Sequence, residues 1–189
     1  MQYFASALLC CLLAAQAAAQ QDEPPNAVLL VAKPELVDPS FRQTVVLVTQ
    51  TDDAHTVGVI LNRPTDRRVE GYAEPLYSGG PVMTQVIVAL FEAEQPPAAS
   101  AFHVLKDVYL SMHPHNLEAL RERPGARVRL FAGFSGWAPR QLESELERDG
   151  WYVLPASEAV LFRKDTRGLW QELLDRAREP EKKTLYFWR

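Results

Sequence analysis

Short apolar runs punctuated by turn residues dominate this chain, and helical spacing is confined to three places. Ala27-Val28-Leu29-Leu30-Val31-Ala32 is a continuous apolar run of the length of a buried strand. Lys33-Pro34 and Asp38-Pro39-Ser40 follow as turns, because Asp and Ser bond nearby amides and proline fixes its own φ. Thr44–Thr51 and Thr56–Asn62 are rich in β-branched residues and are separated by Asp52-Asp53-Ala54-His55, which predicts a hairpin. Asn62-Arg63-Pro64-Thr65 stops its second strand, since the residue before proline is held extended and the proline offers no amide to a ladder.

Beyond this hairpin the chain is polar from Asp66 to Pro75, a loop or single turn, and Tyr77–Val82 forms a glycine-dependent connection. Val86–Phe91 is a further strand, and Glu92–Ala101, with Pro96-Pro97, an exposed connection. Ala101–Leu105 and Val108–Met112 are two short strands, and His113-Pro114 opens a helix through Leu117 and Leu120 that ends by Pro124-Gly125. Ala126–Ala132 alternates arginine with apolar residues, as a half-buried strand does.

The stretch from Phe131 to Leu146 predicts the end of that strand, a glycine-hinged turn carrying Trp137, and an amphipathic helix. Gly133 and Gly136 supply the hinge, Pro139 suits a first helical turn, and Leu142 and Leu146 recur one turn apart. Gly150 is placed to close the helix as a left-handed cap. Trp151–Pro155 and Ala159–Phe162 are the last strands. Asp165 or Thr166 then caps a helix whose face is Leu169, Trp170, Leu173, Leu174 and Ala177. The fold class expected is α+β: a single domain, mostly antiparallel, its sheet folded into a barrel-like core with about three helices packed outside.

The ends differ from the middle. Phe4–Ala15 is apolar apart from Ser6, and Ala17-Ala18-Ala19 supplies small residues for cleavage, so residues 1–19 are expected to be a signal peptide. The run is shorter than the roughly 20 residues of a spanning helix. Residues 20–27 form a linker, 28–178 the domain, and 179–189 a tail ending Leu185-Tyr186-Phe187-Trp188-Arg189, which either packs on its own domain or meets a partner. Export to the periplasm or secretion is the expected localisation, with the cytoplasm as the alternative and membrane attachment only through an uncleaved leader.

Composition narrows the chemistry. Among 189 residues, 20 basic and 24 acidic side chains give a net charge of −4, and no basic block is present to neutralise phosphates, which argues against direct nucleic-acid binding. The two cysteines, Cys10 and Cys11, both fall in the leader, leaving the mature chain without thiol chemistry. Gly133-Phe134-Ser135-Gly136-Trp137 misses the spacing of a nucleophile elbow, because the second glycine comes one position after the serine instead of two. His103, His113 and His115 make an imidazole metal site conceivable, but Pro114 sets His113 and His115 astride a helix start, where a histidine caps or faces water. Asp38, Asp52, Asp53 and Asp107 all sit at turns. No catalytic residue, metal or cofactor is therefore assigned. Asn62-Arg63-Pro64 and Gly79-Gly80 are the candidate ligand- or partner-binding residues, together with Gly133, Gly136 and Trp137. A cation fixed at a strand end presents five donors, and paired glycines admit another backbone or a ligand.

These stretches resemble the YqgE/AlgH family of bacterial proteins over roughly Val28–Ala177. The matching residues are Ala32-Lys33-Pro34, Asp38-Pro39-Ser40-Phe41, Gly58–Thr65, Gly79-Gly80-Pro81-Val82, Gly133–Trp137 and Gln141-Leu142-Glu143. The resemblance implies the barrel-like α+β domain and carries, for its AlgH branch, the label of a transcriptional regulator. Phe91, Phe134-Ser135 and Met112–His115 depart from the family pattern. The reading that results is a non-enzymatic envelope protein that binds an unknown protein or small ligand; the alternatives are a hydrolase or metal-dependent enzyme, and an indirect transcriptional regulator.

Overall fold

A computed structural model describes residues 27–51, 53–123 and 125–179. The leader and nearly all of the linker and tail lie outside the described residues. Among the described residues, ten strands and four helices follow in the order β1 (Val28–Ala32), β2 (Val45–Gln50), β3 (Thr56–Ile60), β4 (Pro64–Arg68), β5 (Pro75–Ser78), β6 (Val82–Glu92), β7 (Phe102–Leu105), β8 (Val108–Ser111), α1 (Pro114–Arg121), β9 (Val128–Trp137), α2 (Gln141–Glu147), β10 (Trp151–Pro155), α3 (Glu158–Leu161) and α4 (Leu169–Arg178).

The strands join in one sheet ordered β10-β1-β2-β3-β9-β6-β8-β7, with β4 and β5 attached beside β9. Pairing is antiparallel except between β5 and β9. The α+β class stands, but the sheet does not close into a barrel: its two ends, β10 and β7, do not meet. Helices take the place of closure. Leu169, Leu173 and Leu174 of α4 and Val160 and Leu161 of α3 enter the apolar cluster on one face, among Leu29, Val45, Leu47 and Val59. On the other face Val46, Val48 and Ile60 pack with Trp137, Leu142 and Trp151. Both faces are covered, which is why β1 and β2 read as continuous apolar runs instead of alternating ones.

Five local expectations are revised. The polar stretch after Asn62 contains a strand, β4, whose side chains are mostly exposed and so carry no apolar signal. The supposed turn at Gly133–Trp137 is strand, because β9 runs on through it to pair with β3. Ala159–Phe162 is not a strand: α3 forms there, with Leu161 N donating to Ser157 O at 3.0 Å, and so short an apolar run does not distinguish the two states. After α2 the left-handed residue is Asp149 (φ 63°) and not Gly150; Gly168 (φ 72°), not Asp165 or Thr166, precedes α4.

Candidate functional site

Asn62 and Arg63 follow the end of β3, and both side chains turn back onto the preceding loop. Asn62 Oδ1 accepts from Val45 N at 2.9 Å and its Nδ2 donates to Gln43 O at 2.9 Å. Arg63 donates to the carbonyls of Ser40 (2.7 Å), Pro39 (3.3 Å) and Arg42 (3.3 Å). Those carbonyls belong to a single helical turn in which Phe41 N and Arg42 N both donate to Asp38 O, and Asp38 also accepts from Ser40 N through its side chain. Burial, with a smaller contribution from neighbouring Arg42, depresses the Arg63 pKa; Asp38 opposes it. The pair therefore clamps the loop from Lys33 to Gln43, and the fork of donors is occupied by the protein's own backbone.

The clamped loop delivers Phe41 to an aromatic cluster. Phe41 stacks on Trp137 at 5.6 Å and meets Trp151 edge-on at 5.7 Å. Both indole N–H groups donate to one oxygen of Glu145, at 3.1 Å from Trp137 and 3.0 Å from Trp151. Trp137 is thus a buried structural anchor for α2.

Gly79, Gly80 and Gly133 meet where the connection from β5 to β6 crosses β9. A Cβ on Gly79 would lie 2.2 Å from Gly133 O, closer than any real contact. Gly133 has φ +70°, and its Cβ would meet Val82 O at 2.7 Å. The crossing is held by Gly79 N donating to Ala132 O and Ile60 N donating to Gly79 O, each at 2.9 Å, while Ser78 N donates to Arg63 O at 2.8 Å. Structure thus brings together the two motifs that the sequence set far apart, where the ends of β3 and β5 meet the middle of β9. Pro64 opens β4 opposite Tyr77, and Gly136 lies exposed beside the Phe134 ring.

The glycine crossing has a consequence on its outer side. Between Val82, opposite Phe134, and Ile87, opposite Ala132, four residues of β6 face the single residue Gly133. This large bulge projects Met83, 52% exposed with φ +44°, while the clamped loop projects Val37, 85% exposed. Bulges re-aim side chains, and left-handed backbone at a residue other than glycine costs of order 1–3 kcal/mol that the surroundings must sustain. Neither residue was singled out from sequence, because an isolated Val or Met carries no periodic signal of exposure.

The candidates for chemistry are absorbed locally. Ser135 is fully buried and its hydroxyl donates to Gly79 O at 3.2 Å. His113 caps α1, its Nδ1 accepting from His115 N at 3.2 Å, and the His103 ring stacks on Tyr109 with Nε2 2.9 Å from Lys106 O. No group of three or more His, Cys, Asp or Glu side chains among the described residues is arranged to hold a metal ion. Arg129, expected to alternate outward from its strand, is instead fully buried. It donates to Glu74 at 3.0 Å, to Leu161 O at 2.9 Å and to Arg163 O at 2.5 Å, with its guanidinium 4.6 Å from the Tyr77 ring centre. No helix among the described residues is long and apolar enough to cross a membrane.

The chain is similar to curated UPF0301 proteins: 35% identical over 172 residues to one from Thermobifida fusca, covering 78% of this chain and 84% of the relative. A second, from Streptomyces avermitilis, is 37% identical over 166 residues, covering 79% and 85%. Two solved structures share the fold at 24% identity. One, from Corynebacterium diphtheriae, superposes with a TM-score of 0.68 over 87% of this chain and 92% of its own. The other, the AlgH protein from Pseudomonas aeruginosa, gives 0.66 over 80% and 88%. The AlgH-like family pattern matches residues 29–181, from within β1 through β2 to β10 and including the glycine crossing, and the chain belongs to that family.

Proposed function

We propose that this protein works by binding a protein partner in the cell envelope and performs no reaction of its own. The observation that carries the reading is that the motif residues build rigid backbone beneath two exposed apolar side chains: Asn62 and Arg63 clamp the loop bearing Val37, and the Gly79–Gly133 crossing supports the bulge bearing Met83. Large apolar side chains held out on fixed backbone are what a partner desolvates at the centre of a contact. Export is supported by the leader pattern of residues 1–19.

Two measurements test it. Fractionation with amino-terminal sequencing is expected to find a mature start near Gln20 or Gln21 in the periplasm; an intact Met1 in the cytosol refutes the envelope assignment. Replacing both Val37 and Met83 by Asp is expected to leave the fold unchanged, because both side chains already face solvent, and to abolish co-purification of the partner held by the wild-type protein. Retention of that partner by a folded double variant refutes the surface assignment.

A further inference from the structure

Arg129 occupies a position that the partner-binding reading does not use. Its side chain leaves β9 fully buried, yet it contacts two segments distant in sequence. Nε donates to Glu74 at the start of the β5 hairpin arm, the two terminal nitrogens donate to Leu161 O at the end of α3 and to Arg163 O just beyond it, and the guanidinium lies over the Tyr77 ring of β5. β5 leads within two residues into Gly79, whose amide is fixed to Ala132 O, and from there into the bulge that bears Met83. On the other side, α4 closes the larger apolar cluster through Leu169, Leu173 and Leu174, and Trp170 Nε1 donates to Ala32 O at 2.7 Å.

A guanidinium presents donors in a rigid planar fork, so its partners on the two sides cannot shift independently. Leaving the cation in place while either set of acceptors moves away strands a buried charge without partners, which is strongly unfavourable. We infer that Arg129 couples the Met83 surface to the docking of α3 and α4, so that opening of the carboxyl-terminal helices loosens the glycine crossing and occupancy of the surface tightens the helices. This rests on the reading of that surface as the partner site only for its biological use; the coupling itself belongs to the chain alone. Coupling of this kind is reciprocal in binding free energy.

Native-state hydrogen exchange on the full chain, with no partner added, tests the coupling separately from partner binding. Arg129→Met is the direct variant, and Glu74→Gln, which touches neither the crossing nor the helices, is the milder one that retains the buried fork. With one charge-assisted bond weakened, Glu74→Gln is expected to raise exchange about tenfold both in Leu76–Met83 and in Leu161–Leu174. Arg129→Met is expected to raise both further. Glu172→Gln, which removes the exposed ion pair of Glu172 with Arg163 (2.7 Å) and so loosens the connection carrying Arg163 O, is expected to raise exchange mainly in α4 and its connection and, through Arg129, to a smaller extent in Leu76–Met83. An increase around Glu74 and Leu76 with unchanged exchange in Leu161–Leu174 overturns the inference, whatever the outcome of the Val37 and Met83 variants.

Discussion

Arg63→Ala removes three donors from the turn that carries Phe41, and its cost can be built up from the geometry. The bond to Ser40 O at 2.7 Å is short and partly buried; those to Pro39 O and Arg42 O, at 3.3 Å, are long and exposed. Bonds to a charged group contribute about 1.5–3 kcal/mol when desolvated, and exposed ones far less, so the three together are worth about 2 kcal/mol. Freeing the turn also weakens the Phe41 stack on Trp137 at 5.6 Å, worth about 0.5–1.5 kcal/mol. A total near 2–3 kcal/mol corresponds to a fall of about 1–1.5 M in the urea midpoint at a slope near 2 kcal/mol/M. Tryptophan emission is a suitable probe because Trp137 and Trp151 both lie in the affected cluster. Arg63→Lys keeps the charge but loses the fork, and is expected to recover less than half of the loss. A midpoint within about 0.25 M of wild type for Arg63→Ala, or full recovery by lysine, refutes the clamp and returns Arg63 to the status of a free surface cation.

Other consequences follow from the same geometry. Gly79→Ala places a methyl 2.2 Å from Gly133 O and 2.9 Å from Phe131 Cβ, so it is expected to cost at least about 3 kcal/mol or prevent folding, measured by thermal unfolding. Ser135→Ala removes one neutral bond to Gly79 O and is expected to lower stability by about 1 kcal/mol without affecting partner capture; loss of capture with stability intact would restore a chemical role for the hydroxyl. Glu145→Ala unpairs two indole N–H groups and is expected to cost about 2–4 kcal/mol and to shift tryptophan emission to longer wavelength. Hydrogen bonds from Arg167, side chain first and then backbone, lower the Asp165 pKa to about 2. Since the folded value lies below the ordinary one, the stabilisation from this pair is complete above about pH 4 and is lost as pH falls toward 2. An NMR titration is expected to place the Asp165 midpoint near 2, and Arg167→Ala to raise it toward the usual carboxylate range.

Much of the fold was legible because burial on both faces wrote itself into the sequence as apolar runs. β1, β2, β3, β8 and β10 fall within a residue or two of where those runs place them, and α4 shows the expected face of Leu169, Leu173 and Leu174. What failed lacked that signal. β4 is exposed and charged, α3 is too short for periodicity, and the open edges of the sheet depend on where helices dock, a long-range matter. The candidate residues show the same division. Gly79 and Gly133 were recognisable as places of close approach, but that they approach each other emerges only from the strand order. Asn62 and Arg63 were recognisable as fixed polar groups, while the backbone groups that fix them lie 17–24 residues away. Arg129 was misread because an alternating strand places every second residue outward, whereas here the end of α3 and the residues just after it lie over that position and supply two carbonyls, Leu161 O and Arg163 O.

The central claim is that the family motifs build a platform whose working parts are Val37 and Met83. Photo-cross-linking in the native cells, with the cross-linking amino acid placed in turn at Val37, Met83 and the exposed α4 residue Gln171, tests it most directly. The expected result is one discrete adduct of the same mass from Val37 and Met83, absent from Gln171. No adduct from Val37 or Met83, or the same pattern from all three positions, contradicts the claim.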